Sequence, residues 1–285
     1  MKFSFEIYPR RKSIEPSSFR STVQTLAASN PEFISVTYGA SGSGRRGTFD
    51  AISTVVRDTP IPVLAHLTCL GQTRIELLKV VDKFKTLGVA DFLAIRGDAR
   101  EDTRGSEANT YHRADQLVEL LDAYRPKGGK IGIAGFPNGH PDSAQVSQDL
   151  DALKSKIDKG ADFIVTQLFF ENEIFYRYVD RVRSAGITVP IIPGLMPVVS
   201  ERRLRRVEEL TGDAAPSQLR KKFSGVSTEE DGFRLGTRWS ADQISDLRDA
   251  GVESVHLFAF NDHRTVLETL SLAQVLSKVE LESLN

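Results

Sequence analysis

Residues 91–98 read Asp91-Phe92-Leu93-Ala94-Ile95-Arg96-Gly97-Asp98. Four apolar residues form a short buried strand, and a cation, a glycine and a carboxylate follow it with no spacer. A strand that stops on a charged tip places chemistry at its C-terminal end. The fold depends on whether other strands in the chain end in the same way.

They do. Apolar runs rich in β-branched residues begin near Phe3, Phe33, Pro62, Asp91, Ile131, Asp162, Val189 and Ser254. All but the last lie at steps of about 27 to 40 residues, the size of a βαβ repeat. Runs such as Phe163-Ile164-Val165 and Val189 to Ile192 are apolar on both faces, as parallel strands covered on both sides should be. Helical periodicity lies between them, for example over Ile75 to Leu87, with Leu77, Leu78, Val81 and Phe84 on one side. Gly88, Gly160, Gly186 and Gly251 each close such a pattern just before a strand. The alternation predicts an α/β fold, a (β/α)8 TIM barrel, with extra helices before the last strand around Glu201–Leu210 and Ser240–Asp249. The 285 residues suit one such barrel domain.

Composition removes several function classes. The 37 basic and 38 acidic residues balance to a net charge of −1, so no cationic footprint for nucleic acid is present. Cys69 is the only cysteine, which excludes an internal disulfide and a thiolate-clustered zinc site. No apolar run approaches the roughly 18 residues of a membrane span, and the start, Met-Lys-Phe-Ser-Phe-Glu, has no apolar signal core. A cytoplasmic protein is expected. The clusters Arg202-Arg203-Arg205-Arg206 and Arg220-Lys221-Lys222 read as solvated helix faces.

Active sites of such barrels lie at the C-terminal ends of the strands. Those ends carry Glu6, Thr37, His66, Arg96 to Asp98, Gly135 with Phe136, Gln167, Gly194 and Asn261. No strand ends on a lysine, which argues against Schiff-base chemistry, and no metal-binding cluster is expected. Neutral hydrogen-bonding groups with two carboxylates suit a flat heterocycle. Alternation along the first strand places Ser4, Glu6 and Tyr8 on the inner face. Burial there should raise the Glu6 pKa and make it a general acid near neutral pH. Gly39 to Gly47 reads as an active-site loop with neither Rossmann nor P-loop spacing. His140-Pro141-Asp142 lacks a third metal ligand, and Cys69 reads as a packed thiol.

Taken together, these strand ends resemble the methylenetetrahydrofolate reductase family. The resemblance is carried by Ser4-Phe5-Glu6-Ile7-Tyr8-Pro9, Ser35-Val36-Thr37-Tyr38-Gly39-Ala40, His66-Leu67-Thr68-Cys69, Leu93 to Asp98, Thr166-Gln167-Leu168-Phe169-Phe170 and Pro190 to Pro197, and returns weakly at His256 to Asn261. It implies a (β/α)8 barrel that reduces 5,10-methylenetetrahydrofolate to 5-methyltetrahydrofolate, with NADH or NADPH as donor and FAD as cofactor. It implies Glu6 as general acid and Asp98 as the carboxylate beside pterin and cofactor. Thr37, His66, Arg96, Gly97, Asp98, Ala134 and Lys156 match cofactor-binding positions. Gln167, Phe169 and Asp98 match positions for the folate substrate. The alternatives are another pterin-dependent barrel oxidoreductase, or a non-catalytic folate- or nucleotide-binding barrel.

The departures cluster in the flavin site. A Tyr-Ala-x-Asp pattern before the fourth helix is replaced by Tyr111-His112-Arg113-Ala114-Asp115, one residue longer and bulkier. Ala152 stands three residues after Asp149 where a polar side chain is usual, and Phe136 stands where a tyrosine is usual. The Asn-Arg pair of the last strand is Asn261-Asp262, which leaves Arg264 as a candidate for the folate tail. Losing several hydrogen bonds of about 0.5–1.5 kcal/mol each lowers affinity by orders of magnitude. Weakened or absent flavin binding is therefore expected, with hydride passing directly from the nicotinamide.

Overall fold

The computed structural model describes residues 1–10, 13–38, 44–98, 109–139, 146–277, 279 and 281–282. The loop at 39–43 and His140-Pro141-Asp142 lie outside the described residues.

Strands and helices alternate as β1 (Lys2–Ile7), α1 (Pro16–Ala28), β2 (Ile34–Val36), α2 (Gly44–Asp58), β3 (Val63–Thr68), α3 (Arg74–Thr86), β4 (Asp91–Ile95), α4 (Ala114–Tyr124), β5 (Ile131–Gly135), α5 (Val146–Asp158), β6 (Phe163–Thr166) and α6 (Asn172–Ser184). β7 (Ile191–Ile192) and β8 (Gly194–Leu195) are one barrel strand interrupted at Pro193, which has no N–H for the ladder. β7 pairs with β6 and β8 with β9 (Ser254–Phe258), and β9 pairs with β1, so the parallel sheet closes on itself. This is the expected (β/α)8 barrel, with α10 (His263–Leu272) following the last strand.

Local chemistry sets the element ends. Thr73 and Glu76 form a reciprocal capping box at the start of α3, with the Thr73 N–H donating to Glu76 Oε2 at 2.8 Å. Gly88 at φ +90° closes the same helix, in the left-handed region open to glycine.

Alternation along the strands divides two apolar environments. Phe5, Ile7, Val36, Ala65, Leu67, Phe92, Ile133 and Ile164 point outward into the main core beneath the helices. Leu64, Leu93, Phe163, Val165 and Ile192 fill the barrel interior. Above that plug the interior turns polar.

The helices before the last strand form a roof. α7 (Glu201–Thr211), α8 (Ser217–Ser224) and α9 (Glu229–Asp249) enclose a separate apolar cluster with Leu168, Phe170, Met196 and Val198. α9 starts eleven residues before the expected Ser240. Its packing requires glycine at two positions, Gly232 and Gly236. A Cβ on Gly236 would collide with the Val198 carbonyl oxygen, so this helix lies backbone against backbone on the chain leaving β8.

Candidate active site

β1 places Ser4 and Glu6 on the inner face, both buried. The parallel register sets Ser4 beside His256 of β9 and Glu6 beside Ser35 of β2. His256 shares a hydrogen bond of 2.7 Å with Ser4 Oγ through Nδ1, and its Nε2 lies 3.4 Å from Ser35 Oγ. Phe33 stacks on its ring at 5.6 Å. One layer higher, Thr37 donates its hydroxyl to Glu6 Oε1 at 2.9 Å. The other carboxylate oxygen faces two imidazoles, at 3.7 Å from His66 Nε2 and 3.8 Å from His256 Nε2. His66 Nε2 is buried and has no hydrogen-bond partner among the described residues.

These neighbours correct the expectation of a raised Glu6 pKa. Burial disfavours the charged form, but the His66 and His256 rings and the Thr37 hydroxyl outweigh it and hold the carboxyl below its usual range. An apolar wall would have raised it; here the carboxylate accepts the Thr37 hydroxyl and faces two imidazoles. His66 is pulled down by burial, with Glu6 opposing but not overturning the shift. Burial, with Glu6 adding to it, raises the Tyr8 phenol.

Above this cluster opens a cleft of about 1630 Å³ across the C-terminal ends of the strands. Glu6, Thr37, His66, Arg96, Gly97, Asp98, Ala134, Lys156 and Gln167 all line it, so the fold brings together nine of the ten residues expected from the sequence. Gly97 is at φ +85°, and a Cβ there would lie 3.0 Å from that of Thr68, so the tip of β4 accepts only glycine comfortably. Asp98 is exposed at the rim. The Gln167 side-chain oxygen accepts the Leu168 N–H at 3.0 Å, which aims its amide N–H groups elsewhere.

Phe169 is the exception. It is buried, stacked on Phe175 of α6 at 5.5 Å, and is not among the residues lining the cleft, whereas Leu168 is. Sequence reading also passed over the aromatic wall of the cleft. Tyr8 and Phe260 pair at 4.9 Å, and the Asn261 side chain holds them by accepting the Tyr8 N–H at 2.9 Å and donating to the Tyr8 carbonyl at 3.0 Å. Phe260 and Asn261 both have positive φ, +49° and +59°, a strained turn kept by that clamp.

The other arm of the cleft runs along α4 and α5. Lys156 projects there; burial pulls its pKa down, Asp115 and Asp149 pull up less strongly, and no carboxylate lies within ion-pair distance among the described residues. Asp115 is saturated by its neighbours: Arg113 at 3.0 Å, Lys159 at 3.2 Å and Ser155 Oγ at 2.9 Å. Ala152, also lining this arm, offers no hydrogen bond. Cys69 is buried and its thiol is pushed up to about 12, fitting a packed thiol. Among the described residues no three His, Cys, Asp or Glu side chains are grouped to hold a metal, and no helix is long and apolar enough to cross a membrane.

A closed parallel barrel whose C-terminal mouth gathers a buried carboxylate, two imidazoles and a large cleft of mixed polar and apolar lining defines a (β/α)8-barrel enzyme. Sequence comparison narrows the class: the pattern described as methylenetetrahydrofolate reductase matches residues 1–274, and the chain belongs to that family. The 5,10-methylenetetrahydrofolate reductase of Buchnera aphidicola is 33% identical over 262 residues, covering 90% of this chain and 87% of the relative. Those of Pectobacterium carotovorum and Escherichia coli are 31% and 30% identical over 259 residues, each covering 90% of this chain and 85% and 86% of theirs. A Clostridium thermocellum protein described as binding two copies of 5-methyl-5,6,7,8-tetrahydrofolic acid shares the fold. Its TM-score is 0.63 at 13% identity, over 99% of this chain and 96% of that one.

Proposed function

We propose that this chain, acting as one barrel domain in the cytoplasm, reduces 5,10-methylenetetrahydrofolate to 5-methyltetrahydrofolate with a reduced nicotinamide as donor. Family membership supports the reaction, and the buried Glu6 carboxyl between Thr37, His66 and His256 is the observation that carries it. The cleft exceeds the roughly 300–1,000 Å³ of a single-ligand pocket, so donor and acceptor fit together.

The chemistry asked of the chain is proton delivery. Protonated Glu6 gives its proton to the departing ring nitrogen as the C–N bond breaks, leaving an iminium whose methylene carbon accepts hydride. The carboxylate that remains is the form stabilised by the Thr37 hydroxyl and the two imidazoles. A depressed pKa makes Glu6 a strong donor and a scarce one, so displacement of water by the folate is needed to load it. Asp98 and the Gln167 amide offer hydrogen bonds to a pterin edge, and Lys156 suits a diphosphate.

The family implies a flavin, and the inner half of the cleft, from Thr37 to Ala134, fits a flat ring. The outer half fits poorly: Asp115 is spent on Arg113, Ser155 and Lys159, and Ala152 contributes nothing polar. We therefore assign hydride transfer directly from nicotinamide to the iminium carbon. The purified protein should lack the visible flavin absorption band, yet oxidise NADH when methylenetetrahydrofolate is added and yield 5-methyltetrahydrofolate. A stoichiometric flavin band would refute direct transfer. Failure to form the methylated product with either NADH or NADPH would refute the reaction.

A further inference from the structure

We infer that Arg203, on α7, is the cation that receives the substrate's terminal carboxylates, an inference that rests on a folate being the substrate. A folate ends in a glutamate whose carboxylates leave the cleft with the tail, so a cation is needed at the rim next to the wall along which the tail runs. Arg264, the sequence candidate, is spent elsewhere. It pairs with Glu230 at 3.2 Å, covers the Phe233 ring at 4.2 Å and is largely exposed.

Arg203 fits instead. Val207 and Thr211, one and two helical turns further along α7, line the cleft, and Arg203 precedes them by one turn on the same face. Its neighbours in the basic run, Arg202, Arg205 and Arg206, are exposed, and the last two pair with Glu201 and Glu209. Arg203 is half-buried, and its guanidinium lies 3.6 Å from Asp262, beyond hydrogen-bond reach. Asp262 is occupied in capping α10, accepting from the Thr265 N–H at 3.2 Å and hydroxyl at 2.6 Å. It therefore orients Arg203 without using up its donors, and no hydrogen bond from that guanidinium is found among the described residues. Asp262 lies two residues beyond Phe260 of the cleft's aromatic wall, so wall and cation converge from two elements. Of the cations that line the cleft, Arg113 and Lys156 belong to the α4 and α5 side, which follows β4 and β5, far from β9 in the strand order.

The test compares 5,10-methylenetetrahydrofolate with its analogue lacking the glutamate, using R203A and R203K. Loss of a charge-assisted contact should raise KM for the full substrate about tenfold or more, with kcat within about twofold, and R203K should recover part of it. For the tailless analogue, wild type and R203A should agree, with wild type already showing the raised KM. R264A serves as control and should behave as wild type. Equal changes with both substrates would mark Arg203 as a structural brace between α7 and α10 and overturn the inference, as would no change with either. Calorimetric binding of tetrahydrofolate and tetrahydropteroate gives the same comparison without turnover. A wild type that neither binds nor turns over either compound refutes the reductase reading itself, and this inference with it.

Discussion

Glu6→Gln separates the acid role of Glu6 from its structural one. The amide matches the carboxylate in shape, and its oxygen can still accept the Thr37 hydroxyl that now reaches Glu6 at 2.9 Å. Its new N–H2 faces the side where His66 Nε2 has no hydrogen-bond partner among the described residues, so it can donate there. A buried charge is removed and no cavity is made, so stability should change by about 1 kcal/mol or less. What disappears is the proton. Positioned general acids contribute about 10²–10⁴-fold, equivalent to roughly 3–5 kcal/mol of barrier. Single-turnover loss of NADH absorbance, with methylenetetrahydrofolate saturating, should slow by that factor. Calorimetric affinity for tetrahydrofolate should stay within about fivefold, since the hydrogen bonds lost are worth about 1 kcal/mol at most. A variant that turns over within tenfold of wild type refutes the acid assignment. One that loses folate affinity in step with rate shows Glu6 to be a binding group.

Three further outcomes follow from the same geometry. Lys156→Gln should raise KM for the nicotinamide donor about tenfold while leaving KM for the folate unchanged, because among the described residues the ammonium has no carboxylate within ion-pair reach to lose; equal shifts in both constants would remove it from the donor site. Phe169→Ala should lower stability in urea by about 3–5 kcal/mol, as for a buried phenylalanine, and leave both KM values alone; a selective rise in the folate KM would restore Phe169 to the substrate site. His66 has a folded pKa below its ordinary 6.5, so folding favours its neutral form. Its contribution is present above that value and is lost as pH falls through it. The melting temperature of wild type should fall more steeply between about pH 7 and 5 than that of His66→Gln, and parallel curves would contradict the buried neutral ring.

The barrel was readable from sequence because each strand carries its signal locally. Period-2 alternation placed Ser4 and Glu6 inward, and glycines such as Gly88 and Gly160 marked the helix ends. Where reading failed, the deciding contact is distant or the period is lost. His256 lies 252 residues from Ser4, and only the β1–β9 register joins them. Its inward position could have been inferred by counting alternation back from Phe258, but its effect on Glu6 could not. The sign of the Glu6 shift reverses only when three partners from β2, β3 and β9 are set around it. Phe169 lies off the cleft lining because β6 ends at Thr166; beyond the strand, adjacent residues Gln167 and Leu168 both face the cleft and the next turns away. The sequence places the helix before the last strand only from Ser240, and its longer extent runs through Gly232 and Gly236, which local helix propensity disfavours and the distant backbone at Val198 and Val199 requires. Arg203 shows the same limit from the other side. Four arginines in five positions look like one solvated face, and only helix phase against the barrel mouth distinguishes the one that is turned toward Asp262. Chemistry at strand tips is legible in sequence; chemistry set by which tips become neighbours requires the closed barrel.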